Sequence, residues 1–182
     1  NLNGYTANTF ILLYGSTIQI AFYALAQQFS LLLLKVTDSM NTFIFPSASK
    51  KNSDDAKLFI AKAFRTATVL MLPVGIISAI LITPAIYILY GISFLPVIEP
   101  FLILLIGAIF SSISGTMLMY FMSSGRPEII SATLVIPIIV QLIIAPYLIP
   151  LYGIAGAAIA VSIGMVIAGF AQIILFLRLS KL

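Results

Sequence analysis

The chain of 182 residues contains no cysteine, no histidine and no tryptophan, and only 8% of its residues are charged. Without thiols and imidazoles it has no means to form a disulfide, a cysteine or histidine zinc site, a thiol nucleophile or an imidazole general base. The five acidic residues provide no pair at helical spacing within an apolar run, so paired-carboxylate catalysis has no support. We therefore expect a protein that is not an enzyme and that carries no cofactor or metal, and the sequence leaves any coupling ion open.

Apolar sequence is what the chain has in abundance. Hydrophobic residues make up 62% of it and the mean hydropathy is +1.19, whereas an ordinary soluble domain carries about 25% charged residues. Because a membrane-spanning helix needs about 20 apolar residues, we predict an all-α, polytopic transmembrane helical bundle. The predicted spans are residues 21–45, 63–89, 101–123, 129–148 and 154–177, preceded by a partial span at 5–18.

The first part of the chain allows two interpretations. Residues 5–18 are either the stub of a separate helix or the start of one long helix that reaches Leu34, and we favour the stub. The chain begins without Met and without a charged segment of the kind that opens a signal peptide. We therefore expect a fragment of a longer protein.

The basic residues mark one side of the membrane. Eight of the nine lie in three groups at span ends, and two predicted crossings separate each group from the next. They are Lys50, Lys51, Lys57, Lys62, Arg65, Arg126, Arg178 and Lys181. The opposite loops, at 15–20, 91–100 and 149–153, contain no Lys or Arg. The positive-inside rule then places the 47–57 loop and the C-terminus in the cytoplasm of a multi-pass cell-membrane protein. Because these cations are dispersed at helix ends, we expect no nucleic-acid partner.

A polar patch interrupts the span at 21–45. Gln28, Lys35 and Thr42 are seven residues apart, so on a helix they stay within about 40° of one another, with Asp38 on the flank of the stripe. A lone charge at the bilayer centre costs about 2.5–3.5 kcal/mol on insertion scales. We interpret the stripe as one face of a water-filled cavity, with Asp38 as the counter-ion of Lys35. The alternative is that the helix ends near Leu34 and that Lys35 reaches the headgroups.

Small residues recur every four positions in the last predicted span. Gly156, Ala160, Gly164 and Ala168 define a stripe that lets two helix backbones approach closely within lipid. We predict that this stripe packs against another helix. A sliding interface for a moving lobe would need the same residues.

Gln141 is a polar residue four positions after Pro137 in the span at 129–148. Proline leaves a backbone carbonyl without its helical donor, and the Gln141 amide could supply a replacement. Contact with a substrate is the alternative, so Gln141 joins Gln28, Lys35, Asp38 and Thr42 as a candidate cavity residue.

Several phrases of the sequence carry a family resemblance. They are Ala21–Ala26, Ile44–Ser49, Leu89–Gly91 with Phe94, Ser124–Pro127 and the run Leu148–Ala160. In this order the chain resembles the C-terminal half of polysaccharide-biosynthesis transporters, the O-antigen-type lipid-linked oligosaccharide flippases. That family is related to the multidrug and toxin extrusion (MATE) exporters. Ala21 departs from the family pattern, which has glycine at the corresponding position.

The resemblance implies a MATE-like fold of two six-helix lobes that face each other across a cavity open to alternate sides of the membrane. This chain would form most of the second lobe. Its partners would be the bilayer, the missing N-terminal lobe and an undecaprenyl-type diphosphate bearing a short glycan, in a bacterial or archaeal cell membrane. The family offers no substrate-binding motif to carry over, so the assignment of Lys35 depends on its position and on the anionic substrate.

Two other functions compete with the flippase. One is a multidrug or cation antiporter of the same fold, and the other is a membrane subunit that transports nothing itself. A cation antiporter should hold uncompensated carboxylates in its cavity, and the expected Lys35 counter-ion would neutralise Asp38. We therefore rank the flippase first.

Overall fold

The computed structural model describes Ile11 and residues 17–180, and every long element in this part of the chain is a helix. Helix α1 is Thr17–Ser49, α2 is Ser53–Tyr90, a short 3-10 helix is Ile92–Val97, α3 is Ile98–Ser123 and α4 is Pro127–Ser180. Among the described residues, four helices are long and apolar enough to cross a membrane. The prediction of an all-α, polytopic transmembrane bundle is confirmed.

Glycines in the positive-φ region lie at the chain reversals. Gly91, Gly125 and Gly153 have φ of 81°, 71° and 57°. A side chain with a Cβ atom is strained at such angles, so glycine ends a helix there at the least conformational cost. Gly91 lies between α2 and the 3-10 helix, Gly125 lies between α3 and α4, and Gly153 breaks α4 internally.

The break at Gly153 divides α4 into two arms, 127–152 and 154–180. A Cβ atom added at Gly156 would meet the carbonyl group of Leu148, and one added at Gly164 would lie 3.0 Å from the Cα of Pro137. In each of these two contacts one residue belongs to each arm, and the residues nearer to Gly153 in one arm meet those nearer to it in the other. This order requires the arms to run antiparallel. Helix α4 therefore consists of two antiparallel arms, each long enough to cross a membrane, and each predicted span from residue 21 onward lies within a helix or an arm.

The connection between the first two helices is shorter than the predicted loop at 47–57 with the break at Pro46. Helix α1 continues through Pro46 to Ser49, and α2 begins at Ser53, so only residues 50–52 connect them. Proline removes one backbone donor, and because Pro46 and Thr42 are both exposed, water or headgroups can reach the carbonyl it frees. Of the predicted partial span at 5–18, only Ile11, Thr17 and Ile18 are described; the rest lies outside the described residues.

Helix α3 forms the centre of the bundle and packs against α1, α2 and α4. Phe101 and Leu104 of α3 belong to a core cluster that also contains Tyr23 of α1 and Ala158 of α4. The Ser162 hydroxyl donates a hydrogen bond of 2.6 Å to the Ile103 carbonyl, which ties the second arm of α4 to α3. This central helix brings polar residues from distant parts of the sequence into one place.

Candidate functional site

A cavity of about 300 Å³ lies between α1, α3 and both arms of α4. Its volume falls at the lower end of the range of about 300–1,000 Å³ typical of ligand pockets. The polar residues that line it are Gln27, Thr37, Asp38, Asn41, Ser111, Ser112, Thr133 and Gln172. We call this space the inner cavity.

The α1 side of the inner cavity is a single helical stripe. Gln27, Leu31, Leu34, Asp38 and Asn41 follow one another at alternating intervals of four and three residues, which places them on one side of the helix. The polar members lie at the two ends of the stripe and the leucines between them. One face of α1 is therefore committed to this cavity.

Three buried oxygen atoms in the inner cavity lack a hydrogen-bond partner among the described residues. They are the Asn41 Oδ1, the Ser112 Oγ and the Gln172 Oε1. A buried polar atom left unpaired costs about 1–3 kcal/mol, and a buried water needs two to four polar partners. These residues and the other polar side chains that line the inner cavity, together with its volume, make it suited to hold water or a polar ligand.

Asp38 is the acidic residue that lines the inner cavity, and its side chain is exposed at the edge. Within the described residues no ion pair joins it to Lys35; the ion pair in this part of the chain is Lys57–Asp54, at 2.9 Å. The prediction that Asp38 is the counter-ion of Lys35 is therefore wrong. It no longer argues against a cation antiporter. No group of three acidic side chains in this part of the chain lies close enough together to hold a metal ion.

The other predicted cavity residues lie elsewhere. Gln28, Lys35 and Thr42 are exposed on a stripe of α1 that is offset from the inner cavity by one residue, or about 100°. Gln141 is buried in the first arm of α4 and does not line the inner cavity. The structure brings none of these four together with Asp38 in one pocket, and their roles stay predictions.

The small-residue stripe is buried along its whole length. Gly156 and Gly164 lie against the first arm of α4, and Ala160 and Ala168 are 0% and 4% exposed. Ala168 also lines the inner cavity. The second arm of α4 thus packs closely against the first and carries both Ala168 and Gln172 to the inner cavity.

Sequence reasoning missed most of the inner cavity. Asn41, Ser112, Thr133 and Gln172 are uncharged polar residues within predicted spans, which is a signal in itself. The signal is ambiguous because Ser and Thr often bond their own helix backbone, as Thr133 does with the Ile130 carbonyl at 2.9 Å. Only their convergence distinguishes a cavity residue from a self-satisfied one.

We predict that the inner cavity contains water. Ser111 lines the inner cavity and is half-buried, so Ser111→Cys should react with a small water-soluble methanethiosulfonate reagent, because the reactive thiolate forms only where water solvates it. Ile106→Cys is the matched control on α3, since Ile106 is 66% exposed on the apolar outer surface of the bundle. The rates are measured on the protein in membranes, and equal, negligible labelling of both variants would show that the inner cavity is dry.

Comparison with known proteins places the chain in a family. The family model described as "Polysaccharide biosynthesis protein" matches residues 2–99, which is more than half of the chain and includes α1, α2 and the α1 side of the inner cavity. No curated protein and no solved structure matches the chain significantly. The resemblance seen in the sequence is confirmed at the level of the family. The chain belongs to the polysaccharide biosynthesis protein family.

Proposed function

We propose that the protein is a transporter that flips a lipid-linked oligosaccharide, a polysaccharide precursor, across the cell membrane by alternating access. The family match supports a membrane protein in polysaccharide synthesis. The observation that carries the transport proposal is the inner cavity, a polar space within an apolar bundle. Unpaired polar atoms at membrane depth are expensive and are retained where they line a path for water, ions or substrate.

The exposed stripe of Gln28, Lys35 and Thr42 is the proposed substrate face. These polar side chains lie on the outer surface of an apolar bundle, where lipid alone would be an unfavourable neighbour. In a two-lobe, MATE-like transporter a second lobe would cover this face and enclose a hydrated central cavity. The Lys35 ammonium would then attract the diphosphate of the lipid carrier.

Asp38 favours a cation antiporter as the second candidate. It is a carboxylate at the edge of a polar cavity, with no cationic partner among the described residues. An uncompensated carboxylate is the group that a cation or proton pathway requires. The family match favours the flippase over this alternative.

The function is tested in a strain that lacks the protein. A flippase predicts that the lipid-linked glycan accumulates in the cytoplasmic leaflet, detected with a glycan-specific lectin on inside-out and right-side-out vesicles. Normal outer-leaflet glycan together with increased drug susceptibility would favour the antiporter. Normal glycan with unchanged drug susceptibility would favour the subunit that transports nothing.

We predict that the basic ends of the helices are cytoplasmic. Lys51, Lys57 and Arg126 line one common cavity, so they lie on the same side of the membrane. The positive-inside rule then makes that side the cytoplasm. In the cysteine-free chain, Ser93→Cys should label with an impermeant maleimide added to intact cells, and Asp55→Cys only after lysis. Both residues are exposed, and the reverse labelling pattern would contradict the orientation.

A further inference from the structure

A second cavity, of about 470 Å³, opens at the basic end of the bundle. It lies where the α1–α2 connection, the start of α2, the end of α3 and the end of α4 meet. Its charged and hydroxyl-bearing residues are Lys51, Lys57, Arg126, Tyr120, Ser123 and Ser124. We call it the basic cavity, and neither the family match nor the proposed transport assigns it a role.

Like charges converge on the basic cavity from three separate segments. Lys51 lies in the connection after α1, Lys57 in the first turns of α2 and Arg126 in the turn before α4, and no carboxylate lines the space in the described part of the chain. Converging cations repel one another, and an anion between them relieves this repulsion. Arg126 can also hold a phosphate through two parallel N–H bonds.

The nearby acids offset this charge only in part. Asp54 accepts a hydrogen bond of 2.9 Å from the Lys57 ammonium, so this cation has a carboxylate partner. Asp55 and Glu128 are exposed and do not line the basic cavity. Lys51 and Arg126 therefore line the space without a carboxylate partner among the described residues, and the Lys51 ammonium lies 5.4 Å from the centroid of the Phe59 ring.

The basic cavity also has the position and size of a lipid site. It is formed by helix ends, hence at the level where phospholipid headgroups meet the protein, and its volume falls within the range of about 300–1,000 Å³ for ligand pockets. Basic pockets between transmembrane helices on the cytoplasmic side bind anionic headgroups. We propose that the basic cavity binds the phosphate of an anionic phospholipid of the inner leaflet, with Lys51 and Arg126 as its principal contacts. This proposal does not depend on the transport function.

The test measures lipid binding by the purified protein in detergent micelles. Phosphatidylglycerol should raise the thermal stability of the wild type in a saturable way, and phosphatidylcholine should not. In the double variant Lys51→Gln/Arg126→Gln the apparent affinity for phosphatidylglycerol should fall about 30-fold, given two basic contacts of ordinary strength. The single variant Lys51→Gln should lose about fivefold, and it serves if the double variant fails to fold.

The matched control is Lys62→Gln/Arg65→Gln, which removes the same charge from exposed positions of α2 outside the basic cavity. Its affinity should stay within about twofold of the wild type, because the two side chains lie outside the basic cavity and exposed charges contribute little. An equal loss in the control would overturn the proposal in favour of a general surface-charge effect. Equal stabilisation by inorganic phosphate at the same concentration would also overturn it, because the site would then serve soluble anions.

Discussion

Lys35→Ala is expected to abolish flipping of the lipid-linked glycan while the protein still inserts and folds. Lys35 lies 14 residues before the end of α1 at Ser49, which is about 21 Å at 1.5 Å per residue, well inside a hydrocarbon core of about 30 Å. A cation at that depth raises the free energy of insertion by about 2.5–3.5 kcal/mol unless water or an anionic group surrounds it. Removal of the ammonium therefore spares the fold and removes the contact to the diphosphate.

The conservative variant and a matched control make this result specific. Lys35→Arg should keep partial function, because the charge remains and the compact ammonium geometry is lost. Lys62→Ala removes an exposed lysine from the basic end of α2 and should behave as wild type. The measurement is complementation of a flippase-deficient strain, with surface glycan and membrane expression quantified in parallel. Wild-type glycan from Lys35→Ala would exclude Lys35 from the mechanism; the alternative in which the helix ends near Leu34 is already contradicted, because α1 continues to Ser49.

The largest effect on stability is expected from a single methyl group at Gly156. Gly156→Ala would place its Cβ atom against the carbonyl group of Leu148 in the opposite arm of α4. Backbone atoms cannot rotate aside as a side chain does, so the two arms must separate. Overpacking of this kind costs about 1–3 kcal/mol or more. We expect a lower midpoint of thermal unfolding and a lower yield of monodisperse protein.

Two further glycines provide a graded control for the same substitution. At Gly164 the added Cβ atom would lie 3.0 Å from the Pro137 Cα, a milder conflict, whereas at Gly115 nothing lies within 4 Å. Gly164→Ala should therefore be intermediate. Gly115→Ala should be neutral or stabilising by up to about 1 kcal/mol, because alanine favours the helix. An unfolding midpoint of Gly156→Ala equal to that of the wild type would contradict the close approach of the arms.

The amino-acid sequence by itself determined the class of protein, the approximate spans and the turns at Gly91, Gly125 and Gly153. These features depend on the surrounding solvent and on the local backbone. A run of about 20 apolar residues is stable in lipid whatever its neighbours are, and only glycine adopts positive φ without strain. The sequence also identified the family through local phrases, which require no knowledge of packing.

Only the tertiary structure decided which face of α1 lines the inner cavity. Two polar stripes, one through Gln28 and Lys35 and the other through Gln27 and Asp38, differ by a single residue, and either is a valid helical pattern. The choice was made by Ser112 and Gln172, which are far away in the chain and reach α1 only because α3 and the second arm of α4 pack there. The same packing places Asp38 at the inner cavity and not in an ion pair with Lys35. A spacing of three residues on a helix permits such an ion pair but does not impose one.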